Sequence, residues 1–596
     1  MSTRPKPNVF DPRGRLLVVA GLLGACGFAI AARAAWMQLV SPEFYQQQGD
    51  ARFVRDIPIS ASRGAILDRN GETLAASSPV SSIWANPRET LNHPQRLGEL
   101  ARALGLPSDD LARRLGERAD REFVYLRRHM NPDQAAAVLA LKIPGVHEQR
   151  EFRRFYPHGE VMAHVLGFTN IDDQGQEGLE LAFDPWLTGK PGAKRVIRDR
   201  QGQVIEDIDL VRAAEPGRDL VLSNDRREQD HADRELKAAL VRHQARSGSV
   251  VVLDIPTGEI VAMVNQPSYN PNARAGGQND ARRNRAATDL LEPGSVIKSF
   301  TVAAAMENGA DPTRLIDTSP GVFPLHRHAI RDVRNFGMVD MTKLLQKSSN
   351  IASTKLALEM SDEHFHDVLQ RFGFGQTTGS GFPGEAVGVL TDPRGWGDIE
   401  KATISYGYGL SATPLQIVQS YAVLANGGRM LPPTFVRGGN AAAGAGRQVI
   451  DPQIARSVVG MLESVVAPGG TATTAAVAGY RVAGKSGTTR QSIPGGYQQR
   501  YVSLFAGIVP VHQPRFAMVV AIHDPTAGQY YGGAVAAPVF HGVMDGALRL
   551  MDVPPDNVRQ WFASAASPGQ APAEIGSDGL VPVDAPAPPV PAGGAP

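Results

Sequence analysis

Cysteine is nearly absent from this sequence, in which Cys26 is the one cysteine among 596 residues. A single cysteine excludes an internal disulfide framework and any zinc site built from cysteines. Net charge is also close to zero, because 61 lysines and arginines face 60 aspartates and glutamates, for a formal charge of +1. This balance gives no indication of a nucleic-acid partner, and we predict none.

Two further absences narrow the classes of enzyme and binding site that the sequence supports. The sequence contains no G-x-S-x-G motif, so it does not support an α/β-hydrolase. Histidine pairs stand at His326 and His328 and at His364 and His366, but no carboxylate at ligand spacing accompanies either pair. We therefore interpret both pairs as structural or solvent-exposed, and we predict neither a metal site nor a cofactor.

The length and composition are those of a globular protein with more than one domain. With 596 residues, 42% of them hydrophobic and 20% charged, the chain can form two or more domains that each bury a core. From Ser567 onward the sequence is mostly Pro, Ala and Gly with almost no large apolar residue. That composition buries too little surface to fold, so we predict a disordered tail.

An apolar run near the N-terminus predicts a membrane anchor. Leu16–Ala32 is uncharged and mostly apolar. A bilayer core needs about 20 helical residues, a length that the run reaches if Arg33 snorkels and Trp36 lies at the interface. The basic residues before the run, against a single Asp11, are Arg4, Lys6, Arg13 and Arg15. This flank predicts a cytoplasmic N-terminus and export of everything after about residue 40.

Two other interpretations of the same segment remain open. Ala32-Arg33-Ala34 resembles a small-residue cleavage site, which would make the segment a removable signal peptide. Leu23-Gly24-Ala25-Cys26 resembles a lipobox, but apolar residues continue beyond the cysteine. An uncleaved anchor is the favoured interpretation, because the run is longer than the apolar core of a usual signal peptide.

The segment after the anchor predicts a mixed α+β region. Asn70-Gly71 stands between two short apolar runs, which indicates a hairpin whose two turn residues both adopt positive φ. From about Glu99 to Leu141 the pattern predicts helix, and the leucines near helical spacing are Leu100, Leu104, Leu111 and Leu115. We expect this region to end near residue 215.

The second half of the chain predicts a sheet covered by helices. Ser249–Asp254 and the following EIVAMV are strand patterns on either side of a Pro-Thr-Gly turn. Helical patterns follow Ser295 and Thr413, and each ends at a glycine. Two more strand patterns lie between Tyr501 and Asp524. The predicted fold class is α+β.

The stretch EPGSVIKSF places Ser295 and Lys298 three residues apart. Serine is a common helix cap and Ser-x-x-Lys arises by chance, so this pair alone is a weak signal. On a helix, however, residues i and i+3 share a face, so Lys298 can accept the proton of the Ser295 hydroxyl. The helix N-terminus also favours negative charge that develops on Ser295.

Two downstream motifs supply groups that this pair lacks. They are Ser348-Ser349-Asn350 and Lys485-Ser486-Gly487-Thr488. A second cation at Lys485, together with partial desolvation, disfavours the ammonium form of Lys298 and leaves a neutral amine as base. Ser348 can relay the proton to a leaving amine, and the Asn350 amide can hold the backbone of a peptide substrate.

The segment that carries the second motif predicts a site for a substrate carboxylate. Ser486 and Thr488 offer hydroxyls beside the positive charge of Lys485, and Gly487 lets the strand approach closely. The backbone N–H groups of Ser295 and Thr488 would form an oxyanion hole, which is usually the largest catalytic contribution.

Two further motif matches do not indicate a functional site. Ser268-Tyr269-Asn270 repeats Ser-x-Asn, but it precedes Ser295 and breaks the order of the motifs. Gly479–Ser486, GYRVAGKS, matches the phosphate-binding loop G-x-x-x-x-G-K-[ST]. Such a loop must open a helix, whereas GTTRQSIPGGY follows here, so we predict a continuous strand and no nucleotide.

Several motifs together make the chain resemble a class B penicillin-binding protein. They are RNRAATDLLEPGSVIKSF, SSNIAS, SYGYGLSATPLQ and GKSGTTR. RGAILDRNGETLA and GLELAFDPWLTGKPG resemble the non-catalytic pedestal of that class, and YYGGAVAAPVF resembles its cell-division transpeptidases. One departure is Ser299, which stands where family members often carry proline after the lysine.

The resemblance implies an architecture and a set of boundaries. It implies a single N-terminal transmembrane helix, an elongated α+β pedestal, and a serine β-lactamase-like transpeptidase domain with a central antiparallel sheet flanked by helices. The expected boundaries are 1–15 for a cytoplasmic N-terminus, 16–40 for the anchor, 41–215 for the pedestal, 216–555 for the transpeptidase domain and 556–596 for a largely disordered extension.

The resemblance also implies a reaction. Ser295 would attack the D-Ala–D-Ala bond of a peptidoglycan stem peptide, an amine of a neighbouring stem would resolve the acyl-enzyme, and β-lactams would acylate the same serine. A membrane-embedded glycan polymerase and other division proteins would be partners at the inner membrane, with the catalytic domain in the periplasm. Open alternatives are an elongation-type transpeptidase, a D-Ala-D-Ala carboxypeptidase or β-lactamase-like hydrolase, and a non-enzymatic sensor or scaffold.

Overall fold

The structure is a computed structural model that describes residues 12–40, 54–198, 204–273, 279–440, 446–493 and 496–557. Arg4 and Lys6 of the basic flank, and the tail from Ser567 onward, lie outside these residues. The chain forms two compact units that interleave along the sequence. The first comprises Met1–Ser62, Pro79–Phe152 and Gly189–Pro216, and the second comprises Arg63–Ser78, Arg153–Thr188 and Gly217–Pro596.

The first unit begins with a long apolar helix, Pro12–Ala35, which a π-helical turn continues over Trp36–Val40. Over Arg13–Gln38 the mean hydropathy reaches 2.0 and none of the apolar stretch is buried by other parts of the described chain. This helix is long and apolar enough to cross a bilayer, and the predicted anchor 16–40 falls on it.

A three-stranded antiparallel sheet, a small helical layer and part of a second sheet make up the rest of what the structure describes of the first unit. The sheet has the order Val54–Ile59, Gly192–Arg198, Val204–Arg212. The helices are Pro87–Thr90, Leu97–Leu104, Ser108–Gly116 and Pro132–Ala140, with a 3-10 turn at Pro94–Arg96. Strand Val124–Met130 pairs with the end of Thr73–Ala85, to which Val146–Phe155 also pairs.

The helical pattern predicted from Glu99 to Leu141 is confirmed at both ends and wrong in its middle. Its four leucines are fully buried and belong to the two helices between Leu97 and Gly116. Val124–Met130, however, is a strand, in which the alternation of buried Val124 and Leu126 with a less buried Tyr125 follows the period of a sheet. Pairing with a neighbouring strand decides this segment, and a helical pattern cannot show that.

The hairpin predicted at Asn70-Gly71 is confirmed, but its turn differs from the prediction. Ile66–Leu67 pairs antiparallel with Thr73–Ala75 in the second unit. Gly71 has a φ of +87°, whereas Asn70 is not among the residues with positive φ. The buried Asp68 carboxylate accepts hydrogen bonds from the Asn70 and Glu72 amides, both at 2.8 Å, and thereby closes the turn.

A five-stranded antiparallel sheet forms the centre of the second unit. In chain order its strands are β1 (Ser247–Asp254), β2 (Ile260–Gln266), β3 (Ala483–Ile493), β4 (Gly496–Val509) and β5 (Phe516–His523). The spatial order is β2-β1-β5-β4-β3, so β3 is an edge strand. All eight residues of β1 and of β5 are buried, which means that both faces of the sheet are covered.

Helices cover this sheet and form most of the remaining second unit. Arg226–His243 packs on β2, Pro414–Ala425 on β5 and Pro452–Val466 on β3, while Ala537–Leu550 contacts β4 and β5. The other helices are Ala163–Leu166, Gly178–Ala182, Asp184–Leu187, Asn279–Arg282, Arg285–Thr288, Lys298–Glu307, Met341–Lys347, Asn350–Leu358, Asp362–Arg371, Asp398–Ser405 and Gly532–Val535. The predicted α+β class, with a central antiparallel sheet flanked by helices, is confirmed.

Short elements complete the second unit. Its short strands are Ile66–Leu67, Leu220–Val221, Ile316–Asp317, Val322–Leu325, His328–Arg331, Met338–Val339, Arg429–Met430 and Arg447–Gln448. Its 3-10 turns are Gly159–Val161, Gly294–Ile297, Pro393–Gly395 and Thr473–Ala475. The hairpin of Val322–Leu325 and His328–Arg331 matters for the site, because its last residue contacts Asn350.

Candidate active site

Ser295 lies at the start of a continuous helical segment in the core of the second unit. It belongs to the 3-10 turn Gly294–Ile297, and helix Lys298–Glu307 follows at once. Pro293 occupies the cap position and no side chain makes a capping hydrogen bond there, so the interpretation of Ser295 as a helix cap is wrong. The Ser295 side chain is half-buried and is not used to stabilise the helix end.

Two glycines in close contact hold the loop that carries Ser295. The Gly294 amide donates to the Gly407 carbonyl at 3.0 Å, and Gly407 has a φ of +91°. A Cβ at position 407 would lie 2.0 Å from the Gly294 carbonyl oxygen. Only glycine fits here, because both the backbone conformation and the close approach exclude a side chain.

Lys298 brings the two serines and the asparagine of the predicted site together. Its side chain is fully buried, and Nζ lies 3.1 Å from Ser295 Oγ, 3.2 Å from Ser348 Oγ and 2.6 Å from Asn350 Oδ1. Nζ also donates to the Ser348 carbonyl at 2.6 Å. The i, i+3 placement inferred from the sequence therefore gives direct contact between the amine and the Ser295 hydroxyl.

Ser348 lies between the two buried lysines. It ends helix Met341–Lys347 in a left-handed conformation with φ of +62°, which turns its side chain away from the helix course. The Lys485 Nζ lies 3.1 Å from the same Ser348 hydroxyl that Lys298 contacts. A proton can thus pass along a chain from Ser295 through Lys298 to Ser348 and Lys485.

Both the oxygen and the nitrogen of the Asn350 side-chain amide make hydrogen bonds within the protein. Its carbonyl oxygen accepts from Lys298, and its NH₂ group donates to the Arg331 carbonyl at 3.0 Å. The sequence suggested that this amide holds the substrate backbone. The geometry gives it a further task, because it fixes the Lys298 amine in place.

Asp332 is a site residue that the sequence did not single out. Its carboxylate accepts hydrogen bonds from the Ser349 hydroxyl and from the backbone N–H of Asn350, both at 2.6 Å, and from the backbone N–H of Ile351 at 3.1 Å. It thereby caps helix Asn350–Leu358 from outside and orients the Ser-x-Asn motif. No spacing rule marks a carboxylate that reaches a helix end from another loop.

The pKa values of both lysines are lowered. Burial lowers the pKa of Lys298 from its usual 10.5 to about 7, and the nearby Asp332 carboxylate opposes this shift. Burial and the charge of Lys298 lower the pKa of Lys485 well below its usual value. Desolvation is therefore the main cause at Lys298, and simultaneous protonation of both amines is disfavoured.

Strand β3 brings the second motif against the Ser295 loop. A Cβ at Gly487 would lie 3.0 Å from the Pro293 carbonyl, so glycine allows the close approach that the sequence suggested. The Ser486 hydroxyl lies 3.0 Å from Thr471 Oγ1, and the Thr488 hydroxyl accepts from the Gly532 amide at 2.9 Å. Ser295 and Thr488 therefore stand on adjoining segments of the site.

The structure rules out the phosphate-binding loop. Lys485 and Ser486 lie inside β3, which runs on to Ile493 without a helix. The second Ser-x-Asn lies apart from these motifs, because the Ser268 hydroxyl donates to the Glu160 carbonyl. Within the described ranges, no three His, Cys, Asp or Glu side chains come together as metal ligands.

The unusual Ser299 has a partner in the core. Its hydroxyl lies 2.9 Å from the hydroxyl of Tyr421, which itself donates to the Val296 carbonyl at 2.9 Å. All three residues are buried. Serine at this position therefore joins the helix that carries Lys298 to helix Pro414–Ala425, where a proline could make no such bond.

Comparisons with known proteins identify the family of this chain. Residues 248–545 match the model of the penicillin-binding protein transpeptidase domain, and residues 58–222 match the penicillin-binding protein dimerisation domain. The chain is 44% identical over 548 residues to the peptidoglycan D,D-transpeptidase FtsI of Escherichia coli K12, covering 91% of each protein.

Solved structures extend the comparison. A peptidoglycan synthetase from Bifidobacterium adolescentis shares the fold with a TM-score of 0.67 at 24% identity, over 84% of this chain and 98% of the other. The transpeptidase domain of Burkholderia pseudomallei penicillin-binding protein 3 matches at 39% identity with a TM-score of 0.52, over 56% of this chain and 97% of the other.

The chain belongs to the class B penicillin-binding proteins, the family of membrane-anchored transpeptidases. It is therefore an enzyme of serine acyl transfer, and the N-terminal helix is its membrane anchor.

Proposed function

We propose that this protein is a peptidoglycan D,D-transpeptidase of the division septum, in which Ser295 forms an acyl-enzyme with the stem peptide. One observation carries the assignment of the nucleophile. The amine of Lys298, fully buried and with a pKa near 7, lies 3.1 Å from the Ser295 hydroxyl. A base with a pKa close to the working pH is what general base catalysis needs.

In the first step Lys298 takes the proton of Ser295 as its oxygen attacks the carbonyl of the penultimate D-Ala. The tetrahedral intermediate places its negative oxygen between the backbone N–H groups of Ser295 and Thr488. The proton then passes by way of Ser348 to the nitrogen of the terminal D-Ala, which leaves. The hydroxyl of Ser348, in contact with both lysines, supports this route.

The terminal carboxylate of the substrate binds at β3. Lys485 contributes positive charge there once the bound carboxylate favours its ammonium form, while Ser486 and Thr488 contribute hydroxyls and Gly487 lets the strand come close. Asn350 holds the substrate backbone and the Lys298 amine. β-Lactams enter the same site, because their ring amide and carboxylate present the same groups to Ser295 and β3.

In the second step an amine of a neighbouring stem peptide attacks the acyl-enzyme and forms the cross-link. No cofactor takes part in either step, because a serine ester supplies the energy for the new amide bond.

We propose an arrangement around the membrane that follows the charge of the N-terminal flank. Residues 1–15 are cytoplasmic, 16–40 span the inner membrane, 41–215 form the pedestal, 216–555 form the transpeptidase domain in the periplasm and 556–596 form an extension. Arg13 and Arg15, which precede the uncharged run Leu16–Ala32 in this helix, support this orientation. A membrane-embedded glycan polymerase and other division proteins are the partners, since newly made glycan strands carry the stems that this enzyme joins.

The reaction is tested with a synthetic D-Ala–D-Ala stem peptide and an amine acceptor, using the full-length protein in detergent. We expect release of D-Ala and formation of a cross-linked dimer, both absent from Ser295→Ala. Release of D-Ala with water as the only acceptor would instead identify a carboxypeptidase. Failure of the wild type to release D-Ala while it still reacts with β-lactams would identify a penicillin-binding sensor, and failure in both would identify a scaffold.

A further inference from the structure

The loop that carries Ser295 also carries a carboxylate that the mechanism above leaves unused. Glu292 precedes Ser295 by three residues and is partly buried. One of its oxygens, Oε1, accepts two hydrogen bonds, from the Tyr497 hydroxyl and from the Gly409 amide, both at 3.0 Å. The other oxygen, Oε2, is buried and makes no hydrogen bond to any residue that the structure describes.

Glu292 and Ser295 belong to one short segment held against a second loop. Three contacts tie Leu291–Gly294 to Gly407–Ala412: a backbone β-bridge between Leu291 and Ala412, the bond from the Gly409 N–H to the Glu292 carboxylate, and the backbone bond from Gly294 to Gly407. Three residues of chain span at most about 10 Å. The loop therefore keeps the Cα atoms of Glu292 and Ser295 within about 10 Å of each other.

Aromatic rings lie around this carboxyl group. The Tyr408 and Tyr497 rings meet edge to face at 5.7 Å, and Tyr406 packs on Tyr408 at 6.0 Å. Burial raises the pKa of Glu292 above its usual range, while the Gly409 amide and the Tyr497 hydroxyl oppose the shift. An unpartnered carboxylate oxygen among aromatic rings favours the approach of a cation.

The second half of the reaction needs a group of this kind. An acceptor amine reaches the enzyme as an ammonium ion, which has no lone pair and cannot attack the acyl-enzyme. Lys298 and Lys485, as cations or neutral amines, offer no negative charge to attract it. The transpeptidase site must therefore both bind the ammonium group and take one proton from it.

We propose that the Glu292 carboxylate binds the primary ammonium group of the acceptor peptide and removes the proton that keeps this nitrogen from attacking the acyl-enzyme. The inference rests on the proposed transpeptidase function and assigns it an acceptor site. Glu292 is then a catalytic residue of the second step alone, whereas Lys298 serves both steps.

The protons and bonds balance without another reactant. The ammonium group gives one proton to Glu292, and the neutral nitrogen attacks the ester carbon on Ser295. When the C–O bond to Ser295 breaks, the nitrogen loses its second proton, which returns to the Ser295 oxygen by way of Lys298. Glu292 releases its proton to solvent after the product leaves.

In the Glu292→Gln variant, acylation and transfer of the acyl group are measured separately. Glutamine keeps the size of the side chain and an oxygen that can accept the hydrogen bonds from Tyr497 and Gly409. We expect acylation by a fluorescent penicillin to stay within about threefold of the wild type, which also shows that the variant is folded. Transfer of the acyl group to a stem-peptide amine should fall by about tenfold or more. Glu363→Gln, an exposed glutamate of the second unit, serves as the matched control.

Hydroxylamine distinguishes proton removal from a structural role. Its nitrogen is unprotonated at neutral pH, so it needs no base, and we expect Glu292→Gln to transfer the acyl group to hydroxylamine at close to the wild-type rate. Glu292→Asp, which keeps the carboxylate, should restore part of the transfer to the stem-peptide amine.

Three results would overturn the inference. They are equal losses of acylation and transfer in Glu292→Gln, equal losses with hydroxylamine and the peptide amine, or unchanged transfer to the peptide amine. The first result would mean that Glu292 only ties the loop to the hairpin of β3 and β4. If the wild type itself forms no cross-link, the proposed function fails instead, so the two failures are distinguishable.

Discussion

Lys298 and Lys485 lie on either side of a single hydroxyl group, that of Ser348, at 3.2 Å and 3.1 Å. Both side chains are fully buried. Two ammonium ions in such a place would repel each other and would lack water, so the site favours a state with at least one neutral amine. Burial thus lowers the pKa of Lys298 and makes its amine available as the base that activates Ser295.

Removal of the Lys298 amine should abolish acylation. General base catalysis contributes about 10²- to 10⁴-fold, so we expect Lys298→Met to lower the rate of acylation by a labelled penicillin by about that factor. Rapid-quench labelling measures the rate. Lys343→Met, an exposed lysine of helix Met341–Lys347, is the control and should acylate like the wild type. Acylation of Lys298→Met at the control rate would show that another group is the base.

The acylation rate should depend on pH through Lys298. Below a pKa of about 7 the amine is protonated and cannot accept the proton of Ser295, so the rate should rise by about tenfold per pH unit and level off above pH 7. The rate constant of penicillin acylation between pH 5 and 9 gives the profile. A rate that stays flat across this range would exclude Lys298 as the titrating base.

Asp332 should influence the pH at which the acylation rate reaches half of its maximum. Its negative charge favours the ammonium form of Lys298, so its removal lowers the pKa of the amine and moves the rising limb to lower pH. We expect Asp332→Asn to shift the midpoint downward and to lower thermal stability, because the bonds to Ser349 and Asn350 weaken. A shift of the midpoint to higher pH would contradict this electrostatic account.

The close contact of Gly407 with Gly294 should be needed for the position of Ser295. In Gly407→Ala the Cβ would lie 2.0 Å from the Gly294 oxygen, and we expect a loss of about 2 to 5 kcal/mol in the free energy of unfolding together with slower acylation. Gly309→Ala is the matched control, because Gly309 has a φ of +90° and no atom within 4 Å of its Cβ position. Denaturant unfolding and penicillin labelling measure the two effects. Equal losses in both variants would mean that backbone strain alone is responsible.

Much of the second unit was predictable because its elements have strong local signals. The apolar runs of β1, β2 and β5, the helix that begins at Pro414 and the order of the three motifs all follow from period and spacing. The hairpin after Asp68 was predictable from Asn70-Gly71 as well. Its turn was not, since the Asp68 side chain rather than the backbone of Asn70 closes it.

The parts that escaped prediction depend on contacts between distant residues. Val124–Met130 becomes a strand by pairing with the end of Thr73–Ala85, which no pattern within the segment reveals. Asp332 acts on Asn350 from another loop, and Glu292 meets Tyr497 across 205 positions of the sequence. Burial, which lowers the pKa of Lys298, likewise exists only in the folded chain.

The most direct test of the account is the site at which a labelled β-lactam attaches. After brief exposure of the full-length protein, peptide mapping by mass spectrometry should find the adduct on Ser295 alone, at one label per chain, and Ser295→Ala should carry none. An adduct on another residue, or full labelling of Ser295→Ala, would contradict the assignment of Ser295 as the nucleophile.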